Sequence, residues 1–158
     1  TNGTGNALVN TITGNGAANI LSGLLGKDTI KGGAGDDLLI GGAGADILTG
    51  GLGADRFRFD TLETSASKDT IKDFVHGVDL VELTKSAFAA FVGDSDGLLD
   101  PAELAFGASA ATSAQHLIYD QLTGALFYDA DGAGGAAQIQ IAAFSTKPVL
   151  GAGDFLLV

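Results

Sequence analysis

Six consecutive nine-residue segments cover residues 5–58 without a gap and share one pattern of residue types. Each begins with glycine, has Asn or Asp at its sixth position and has a large apolar residue at its eighth. The sixth positions are Asn10, Asn19, Asp28, Asp37, Asp46 and Asp55. One segment cannot bury its apolar side chain alone, but stacked segments bury a continuous column. The pattern therefore predicts a solenoid in which each segment supplies a glycine turn and a short strand.

The later sixth positions are all Asp, which indicates a cation-binding edge. Stacked turns would bring these carboxylates together about every 4.8 Å along the solenoid. Like charges at that spacing repel each other unless a cation lies between them, and carboxylate and carbonyl oxygens suit Ca²⁺. The alternative is a glycine-rich turn that binds no ion.

The segments resemble the GGxGxDxUx nonapeptide of the RTX (repeat-in-toxin) family, whose parallel β-roll binds several calcium ions. The resemblance implies a mainly β fold. It places a right-handed β-roll, a solenoid of nonapeptide repeats, in residues 1–58. A β-rich C-terminal capping and secretion-signal region with one or two short helices would occupy residues 59–158. In the family two repeats form one 18-residue turn, so that each repeat stacks on the next but one.

The resemblance also implies the calcium ligands. Each family ion lies between two stacked loops and takes main-chain carbonyls and the sixth-position Asp from both. One implied site uses Leu24, Gly26, Asp28, Gly41, Ala43 and Asp46. The other uses Gly33, Gly35, Asp37, Gly50, Leu52 and Asp55.

Two earlier sites would pair Asn10 with Asp28 and Asn19 with Asp37. We expect these sites to be weaker, because an amide supplies an oxygen without a charge. Leu8 stands where glycine is usual, which also makes the geometry of the first loop atypical. Asp36 lies outside the repeated column, and we expect it to be solvated.

The segment SKDTIKDFVHGVDLVEL follows the repeats. Alternating residues from Asp69 to Phe74 predict a strand. The segment is similar to the one that caps the roll in secreted RTX proteases and lipases. That resemblance implies that Asp69 and Asp73 contribute to the final calcium sites, with Glu63 as a weaker candidate. The alternative is an amphipathic strand with solvated acids.

Residues 92–103, VGDSDGLLDPAE, are similar to an EF-hand loop that lacks its first ligand. Asp94, Asp96 and Glu103 occupy positions 3, 5 and 12 of such a loop, but Val92 occupies position 1. The loop is therefore a candidate calcium site between two short helices. The alternative is an acidic turn that caps a helix, since Asp100 is a natural N-cap.

Residues 116–131 predict a hairpin that turns at 122–124, and QIQIAAF predicts a further strand. For Asp129 and Asp131 we favour a hydrogen-bonded Asx turn over a calcium site. The chain ends in DFLLV, an acid followed by apolar residues. This ending resembles the C-terminal signal that type I secretion systems recognise, although a simple strand would look the same.

The composition excludes several classes of partner. A net charge of −11 and a pI of about 4.2 argue against nucleic acid and anionic membrane surfaces. No apolar run approaches the ~18 residues of a membrane-spanning helix, so we expect no membrane insertion. Cysteine is absent, which excludes disulfides and thiolate metal sites. The chain does not begin with methionine, and we interpret it as the C-terminal piece of a longer protein.

The residues offer little for catalysis. The only histidines are His76 and His116, and neither the HExxH zinc motif nor the G-x-S-x-G motif is present. We expect His76 to be solvated and His116 to be half-buried at the start of a strand. We therefore predict that this chain is not an enzyme, and that any catalytic domain lies upstream.

These features together predict a calcium-binding RTX module that folds on Ca²⁺ binding after type I secretion. It would be the C-terminal secretion and folding module of a larger extracellular protein from a Gram-negative bacterium. The alternative is an adhesive or polysaccharide-binding module of a secreted enzyme or adhesin. The string GTGN, residues 3–6, resembles ice-binding RTX solenoids but occurs once, which argues against a threonine array. A third hypothesis is the tail of a secreted protease or lipase.

Overall fold

The computed structural model describes residues 2–62 and 64–158, so that Thr1 and Glu63 lie outside the description. The described residues form fourteen strands. Their bounds are β1 Gly3–Thr4, β2 Thr11–Thr13, β3 Ile20–Leu25, β4 Thr29–Ala34, β5 Leu38–Ala43, β6 Ile47–Leu52, β7 Arg56–Phe59, β8 Asp69–Ile71, β9 Leu80–Leu83, β10 Leu104–Phe106, β11 Leu117–Asp120, β12 Ala125–Tyr128, β13 Ile139–Phe144 and β14 Phe155–Leu157.

Successive strands of the repeat region alternate between two sheets. The first sheet has the order β1-β3-β5-β7-β9-β14, and the second has the order β10-β11-β12-β13-β8-β6-β4-β2. Neighbouring strands from β1 to β7 are parallel, and partners lie 18 residues apart, as in Leu21 with Leu39 and Ile30 with Leu48. Two nonapeptides therefore form one turn, which confirms the parallel β-roll.

The eighth residue of each nonapeptide points between the two sheets. Leu21, Ile30, Leu39, Leu48 and Phe57 are at most 1% exposed. Because strand side chains alternate between faces, the residues on either side of each one point outward. The apolar column predicted from the repeat is therefore the core of the roll.

The region after the roll extends both sheets. β8 pairs in parallel with β6, and β9 pairs in parallel with β7. The second sheet then continues through antiparallel pairs of β11 with β12 and β12 with β13, which confirms the predicted hairpin and the strand after it. β14 pairs with β9 at the end of the first sheet. One apolar cluster runs through the roll and the cap.

The helices expected in the cap are shorter than the sequence suggested. Within residues 2–62 and 64–158 the helical segments are single 3-10 turns, at Ser65–Ser67, Ala89–Phe91, Pro101–Glu103 and Ala152–Asp154. Pro101 and Asp100 fix the start of one turn, but β10 begins directly after it at Leu104. None of the helices in these residues could cross a bilayer.

A buried carboxylate ties the roll to the cap on the outer face of the first sheet. Glu82 on β9 is 1% exposed, and its oxygens accept hydrogen bonds from Arg56 Nη1 at 3.0 Å and Arg58 Nε at 2.7 Å. Both arginines belong to β7, the last strand of the roll. Two cations around one buried anion make this contact a charged link between the two regions.

Candidate metal centre

The sixth-position residues form one ladder along each edge of the roll. In every step the backbone N–H of one residue donates to Oδ1 of the acid one turn further on. On the first edge the steps are Asn10 to Asp28 at 2.7 Å, Asp28 to Asp46 at 2.7 Å and Asp46 to Asp69 at 2.9 Å. On the second edge they are Asn19 to Asp37 at 2.7 Å, Asp37 to Asp55 at 2.9 Å and Asp55 to Asp79 at 3.0 Å. The acids thus join each turn to the next.

The second carboxylate oxygen has a different environment. Asp28, Asp37 and Asp55 are each at most 1% exposed, and no group of residues 2–62 and 64–158 donates a hydrogen bond to their Oδ2 atoms. A buried carboxylate oxygen without a donor is costly, because burial removes the hydration of the charge. These oxygens therefore fit a bound cation.

Main-chain carbonyls face the same space as these oxygens. A Cβ atom added to Gly23 would overlap Asp28 Oδ2 and would lie 2.6 Å from the Gly41 carbonyl oxygen. A Cβ atom added to Gly32 would overlap Asp37 Oδ2 and would lie 2.5 Å from the Gly50 carbonyl oxygen. The structure therefore brings together, beside a first-position glycine, one carboxylate and one carbonyl of each implied site.

The loops of the last four repeats adopt a backbone that glycine favours. The second positions, Leu24, Gly33, Gly42 and Gly51, have φ values of 78°, 117°, 91° and 108°. The fourth positions, Gly26, Gly35, Gly44 and Gly53, have φ values of 118°, 96°, 135° and 130°. The carbonyls of Leu24 and Gly26 contact the places where Gly42 and Gly44 would carry a Cβ atom. This close stacking explains why residues with side chains are rare at these positions.

Burial, with repulsion between neighbouring carboxylates, raises the pKa values of the acids on the second edge. Burial raises the pKa of Asp55 to about 6, and the neighbouring charges of Asp79, Asp37 and Asp73 also raise it. Burial likewise raises the pKa of Asp37 and of Asp79. Carboxylates that resist ionisation without a counter-charge are suited to a divalent cation.

The cap supplies the acids that continue both ladders. Asp69 is 5% exposed, and its Oδ2 lies 3.0 Å from a Cβ position at Gly41, on the side of the implied sites. Asp73 accepts the N–H groups of Gly50 and Gly51, both at 2.9 Å, and so caps the last roll loop. The metal roles of Asp69 and Asp73 stay predictions.

Asp79 is a buried acid of the second ladder that the repeat pattern does not indicate. It is 3% exposed and accepts the N–H of Asp55 at 3.0 Å and that of Val75 at 2.8 Å. It therefore takes the sixth position of a further turn on the second edge. Its distance from Asp55 is 24 residues instead of 18, because the connection is longer than a repeat. The signal in the sequence was the Gly77-Val78-Asp79 string.

The EF-hand-like loop is assembled as a capping turn. Asp100 Oδ1 accepts the N–H of Ala102 at 2.8 Å, and Glu103 Oε2 accepts the N–H of Asp100 at 3.0 Å. Asp96 Oδ1 accepts the N–H of Leu98. Burial raises the pKa of Glu103, and the charge of Asp94 adds to this effect. Asp94 Oδ2 is buried and accepts no hydrogen bond within residues 2–62 and 64–158. Asp96 and Glu103 each use one oxygen in a local turn, and the calcium roles of Asp94, Asp96 and Glu103 stay predictions.

Other acids lie apart from the roll edges. Asp129 Oδ1 accepts the N–H of Asp131 at 3.3 Å, which agrees with the expected Asx turn. Asp36 is exposed and accepts the N–H of Ala54. Glu63 lies outside the described residues.

His76 is exposed, as expected, but it also has a partner. Its Nδ1 atom lies 2.8 Å from Oδ2 of the buried Asp154, although 55% of the His76 side chain is exposed. His116 is half-buried, as expected, and its Nδ1 atom lies 2.9 Å from the Asp129 carbonyl oxygen.

Main-chain carbonyls outnumber carboxylates in each of the implied calcium sites at the roll edges. Within residues 2–62 and 64–158, no group of three or more His, Cys, Asp or Glu side chains converges on one point. A site built from two carboxylates and several main-chain carbonyls does not need such a group. This donor set consists of hard oxygens, which suit Ca²⁺ better than a transition metal.

A parallel β-roll with buried carboxylates along both edges belongs to the class of calcium-binding repeat modules. Residues 4–37 and 22–57 match the family model of the RTX calcium-binding nonapeptide repeat, with four copies. The roll is thus a member of the RTX family, whose repeats bind calcium ions. When bound, Ca²⁺ supplies the positive charge that the buried carboxylates need.

Two solved structures resemble nearly the whole chain. The AlgE6R3 subunit of the Azotobacter vinelandii mannuronan C5-epimerase has a TM-score of 0.59 and 25% sequence identity, with 95% of this chain and 79% of that chain covered. The AlgE6R2 subunit of the same enzyme has a TM-score of 0.60 and 23% identity, with 98% of this chain and 91% of that chain covered. No curated protein matches the chain. The resemblance supports the fold of the cap as well as that of the roll.

Proposed function

We propose that this chain is a secretion and folding module in which calcium binding drives folding after export through a type I system. The observation that carries the proposal is the set of buried Oδ2 atoms of Asp28, Asp37 and Asp55, to which no group in the described part of the chain donates a hydrogen bond. Without a cation these charges oppose stacking of the turns. With calcium between the loops, the same oxygens hold the turns together.

The concentration of free calcium is low in the cytoplasm and higher outside the cell. Folding that depends on calcium binding would therefore occur after export. Extracellular calcium modules bind with dissociation constants of about 10⁻⁴–10⁻³ M, far above the free calcium of a cytoplasm. The roll would therefore stay loose inside the cell and become ordered outside it. The proposal assigns the chain to a larger extracellular protein of a Gram-negative bacterium. The proposal gives the chain itself no catalytic role.

Circular dichroism of the whole chain tests the folding step. We expect the β-sheet signal and the thermal midpoint to rise when Ca²⁺ replaces EGTA, and Mg²⁺ at the same concentration to have a much smaller effect. Mg²⁺ is the matched control because it carries the same charge but prefers a smaller octahedral site with bound waters. Identical spectra and melting in EGTA and Ca²⁺ would contradict the proposal.

Export requires a separate measurement. A reporter fused upstream of this chain should appear in the medium only when a type I exporter is present. Deletion of residues 154–158 should retain the reporter in the cell. Unchanged export after this deletion would contradict the role of the terminal residues and would leave the calcium-driven folding step untouched.

A polysaccharide-binding module is the second candidate. The structural relatives are subunits of a mannuronan epimerase. Thr13, Lys31 and Thr49 also stand in register on the outer face of the second sheet, and Lys72 follows β8 on the same side. A row of hydroxyl and ammonium groups at strand spacing suits an anionic glycan. Titration of the calcium-loaded chain with mannuronan oligomers, with Lys31→Ala as the comparison, distinguishes this candidate.

A further inference from the structure

The loops of the first turn of the roll carry different residues from the loops of the later turns. Its loops are residues 5–10 and 14–19, and each carries Asn at both the second and the sixth position. In the next four loops the second position is Leu24, Gly33, Gly42 or Gly51, and the sixth position is always Asp. The first-turn loops thus differ from the later loops at the second and sixth positions, which contribute ligands to the implied calcium sites.

The two asparagines of each first-turn loop hydrogen-bond within that loop. Asn6 donates its backbone N–H to Asn10 Oδ1 at 2.7 Å, and Leu8 donates its N–H to Asn6 Oδ1 at 2.8 Å. The second loop repeats both bonds at 2.9 Å, from Asn15 to Asn19 and from Ala17 to Asn15. Two amide oxygens per loop are thus already satisfied by backbone donors.

The sixth-position amide oxygen occupies the place that the second carboxylate oxygen takes in later loops. A Cβ atom added to Gly5 would overlap Asn10 Oδ1, as one added to Gly23 would overlap Asp28 Oδ2. Asn10 Oδ1 accepts the N–H of Asn6, whereas none of the residues that the structure describes donates a hydrogen bond to Asp28 Oδ2. A backbone donor therefore stands in the first turn where the later turns require a cation.

The backbone of the first turn also differs. No residue from Asn2 to Ser22 has a positive φ, whereas the second and fourth positions of the four later loops all do. Because φ and ψ set the direction of each carbonyl, the first-turn carbonyls do not adopt the arrangement of the later loops. The first turn thus lacks both the carboxylates and the loop conformation of the later sites.

We propose that the first turn is a calcium-independent cap that ends the two rows of calcium sites. Two asparagine pairs, Asn6 with Asn10 and Asn15 with Asn19, close its loops in place of an ion. The spaces between Asn10 and Asp28 and between Asn19 and Asp37 hold no calcium. This replaces the weaker sites that the repeat pattern alone suggested.

The number of calcium ions bound per chain tests the proposal, measured by equilibrium dialysis and native mass spectrometry on the whole chain. The double variant Asn10→Ala/Asn19→Ala should bind as many ions as the wild type, with affinity within twofold. Amide hydrogen exchange in residues 5–19 should become faster in the calcium-loaded variant. Because the later sites use no first-turn residue, local opening of this turn leaves the count unchanged. Loss of an ion in this variant would overturn the proposal.

A gain-of-site variant provides the converse measurement. The triple variant Asn6→Gly/Leu8→Gly/Asn10→Asp rebuilds the sequence of the later loops at residues 5–10 and should bind one additional ion. An unchanged count in a folded triple variant would overturn the proposal, because Asn6, Leu8 and Asn10 would then not be what keeps calcium out of this loop. Asp28→Asn serves as the calibration variant and should bind one ion fewer than the wild type.

Discussion

The backbone N–H of Asp37 donates to Asp55 Oδ1 at 2.9 Å across one turn of the roll, while Asp55 Oδ2 receives no hydrogen bond from the described residues, 2–62 and 64–158. One oxygen of the carboxylate therefore joins two turns, and the other faces a first-position glycine. The Asp55 side chain therefore both stabilises the stacking of the turns and offers an oxygen to a bound calcium ion. A change at such a position should alter the calcium-loaded and calcium-free forms in opposite directions.

Asp37→Asn should separate these two effects. The amide oxygen can still accept the N–H of Asn19, so the ladder step survives, but the buried negative charge is lost. We expect calcium affinity at the Asp37/Asp55 site to fall at least tenfold, or about 1.4 kcal/mol. We expect the calcium-free form to become more stable, because no charge is then buried without a partner. Calorimetric titration and melting in EGTA measure the two changes.

Asp36→Asn is the matched control because it removes the same charge from the neighbouring residue. Asp36 is exposed and its carboxylate accepts only the N–H of Ala54 among the described hydrogen bonds. We expect calcium affinity to change by less than threefold and stability by about 0.5 kcal/mol or less. Equal losses of affinity in the two variants would show that overall charge, and not the buried oxygen, governs binding.

The stability of the metal-free roll should decrease as the pH rises. Burial raises the pKa of Asp55 to about 6 and raises the pKa values of Asp37 and Asp79 as well, above the ~3.9 of an unfolded Asp. Between the unfolded pKa of ~3.9 and the raised pKa values of these folded carboxyls, the folded chain binds more protons than the unfolded chain. Raising the pH through this range therefore favours unfolding. In EGTA we expect a higher melting temperature at about pH 5 than at about pH 7.5.

The calcium-loaded form should show the opposite slope. Protons compete with calcium for the same oxygens, so stability in calcium should fall as the pH drops towards 5. The variant Asp55→Asn should flatten the slope measured in EGTA, since it removes the group with the most clearly raised pKa. A melting temperature in EGTA that rises from pH 5 to pH 7.5 would contradict this account.

The repeat made the roll predictable because its constraints are local and recur six times. A glycine at the first position, Asn or Asp at the sixth and an apolar residue at the eighth determine the turn, the ladder and the core column, as Gly32, Asp37 and Leu39 show. Each step repeats every 18 residues, so one rule applies to the whole roll.

The cap was less predictable because its contacts are long-range and do not repeat. Asp79 joins the second ladder through a 24-residue connection, and no periodicity marks it. His76 meets Asp154 across 78 residues, and sequence distance gives no hint of this contact. The acids of 94–103 match an EF-hand spacing, but Asp100 and Glu103 satisfy each other in a local capping box, which competes with metal binding for the same oxygens.

The apolar column should account for much of the stability of the calcium-loaded roll. Leu39 is fully buried in the middle of this column, between Leu21 and Phe57 in the adjacent turns. We expect Leu39→Ala to cost about 2–5 kcal/mol, because rigid stacked strands cannot collapse into the cavity. Urea unfolding in saturating calcium measures the cost. Leu52→Ala is the control: that side chain is 75% exposed, and we expect a change of about 0.5 kcal/mol or less.

The charged link between roll and cap should be independent of calcium. Glu82→Ala leaves Arg56 and Arg58 without their buried partner, but both arginines are partly exposed and can be hydrated. We therefore expect a moderate cost of about 1–3 kcal/mol, similar with and without calcium wherever the roll is folded. The calcium affinity should stay within twofold of the wild-type value. A large loss of affinity in this variant would mean that docking of the cap controls the sites.

A methyl group beside the carboxylate should weaken calcium binding at one site without any change of charge. In Gly23→Ala the new Cβ atom would overlap Asp28 Oδ2 and would lie 2.6 Å from the Gly41 carbonyl oxygen, the two oxygens that border the implied site. Gly23 does not have a positive φ, so the effect comes from occupied space and not from backbone strain. We expect calcium affinity at this site to fall at least tenfold, or about 1.4 kcal/mol.

Gly16→Ala is the control, because Gly16 lies in a first-turn loop, also lacks a positive φ and has no heavy atom within 4 Å of its added Cβ. Its calcium titration should match that of the wild type, and equal losses in both variants would contradict the assignment of the site to the space beside Gly23.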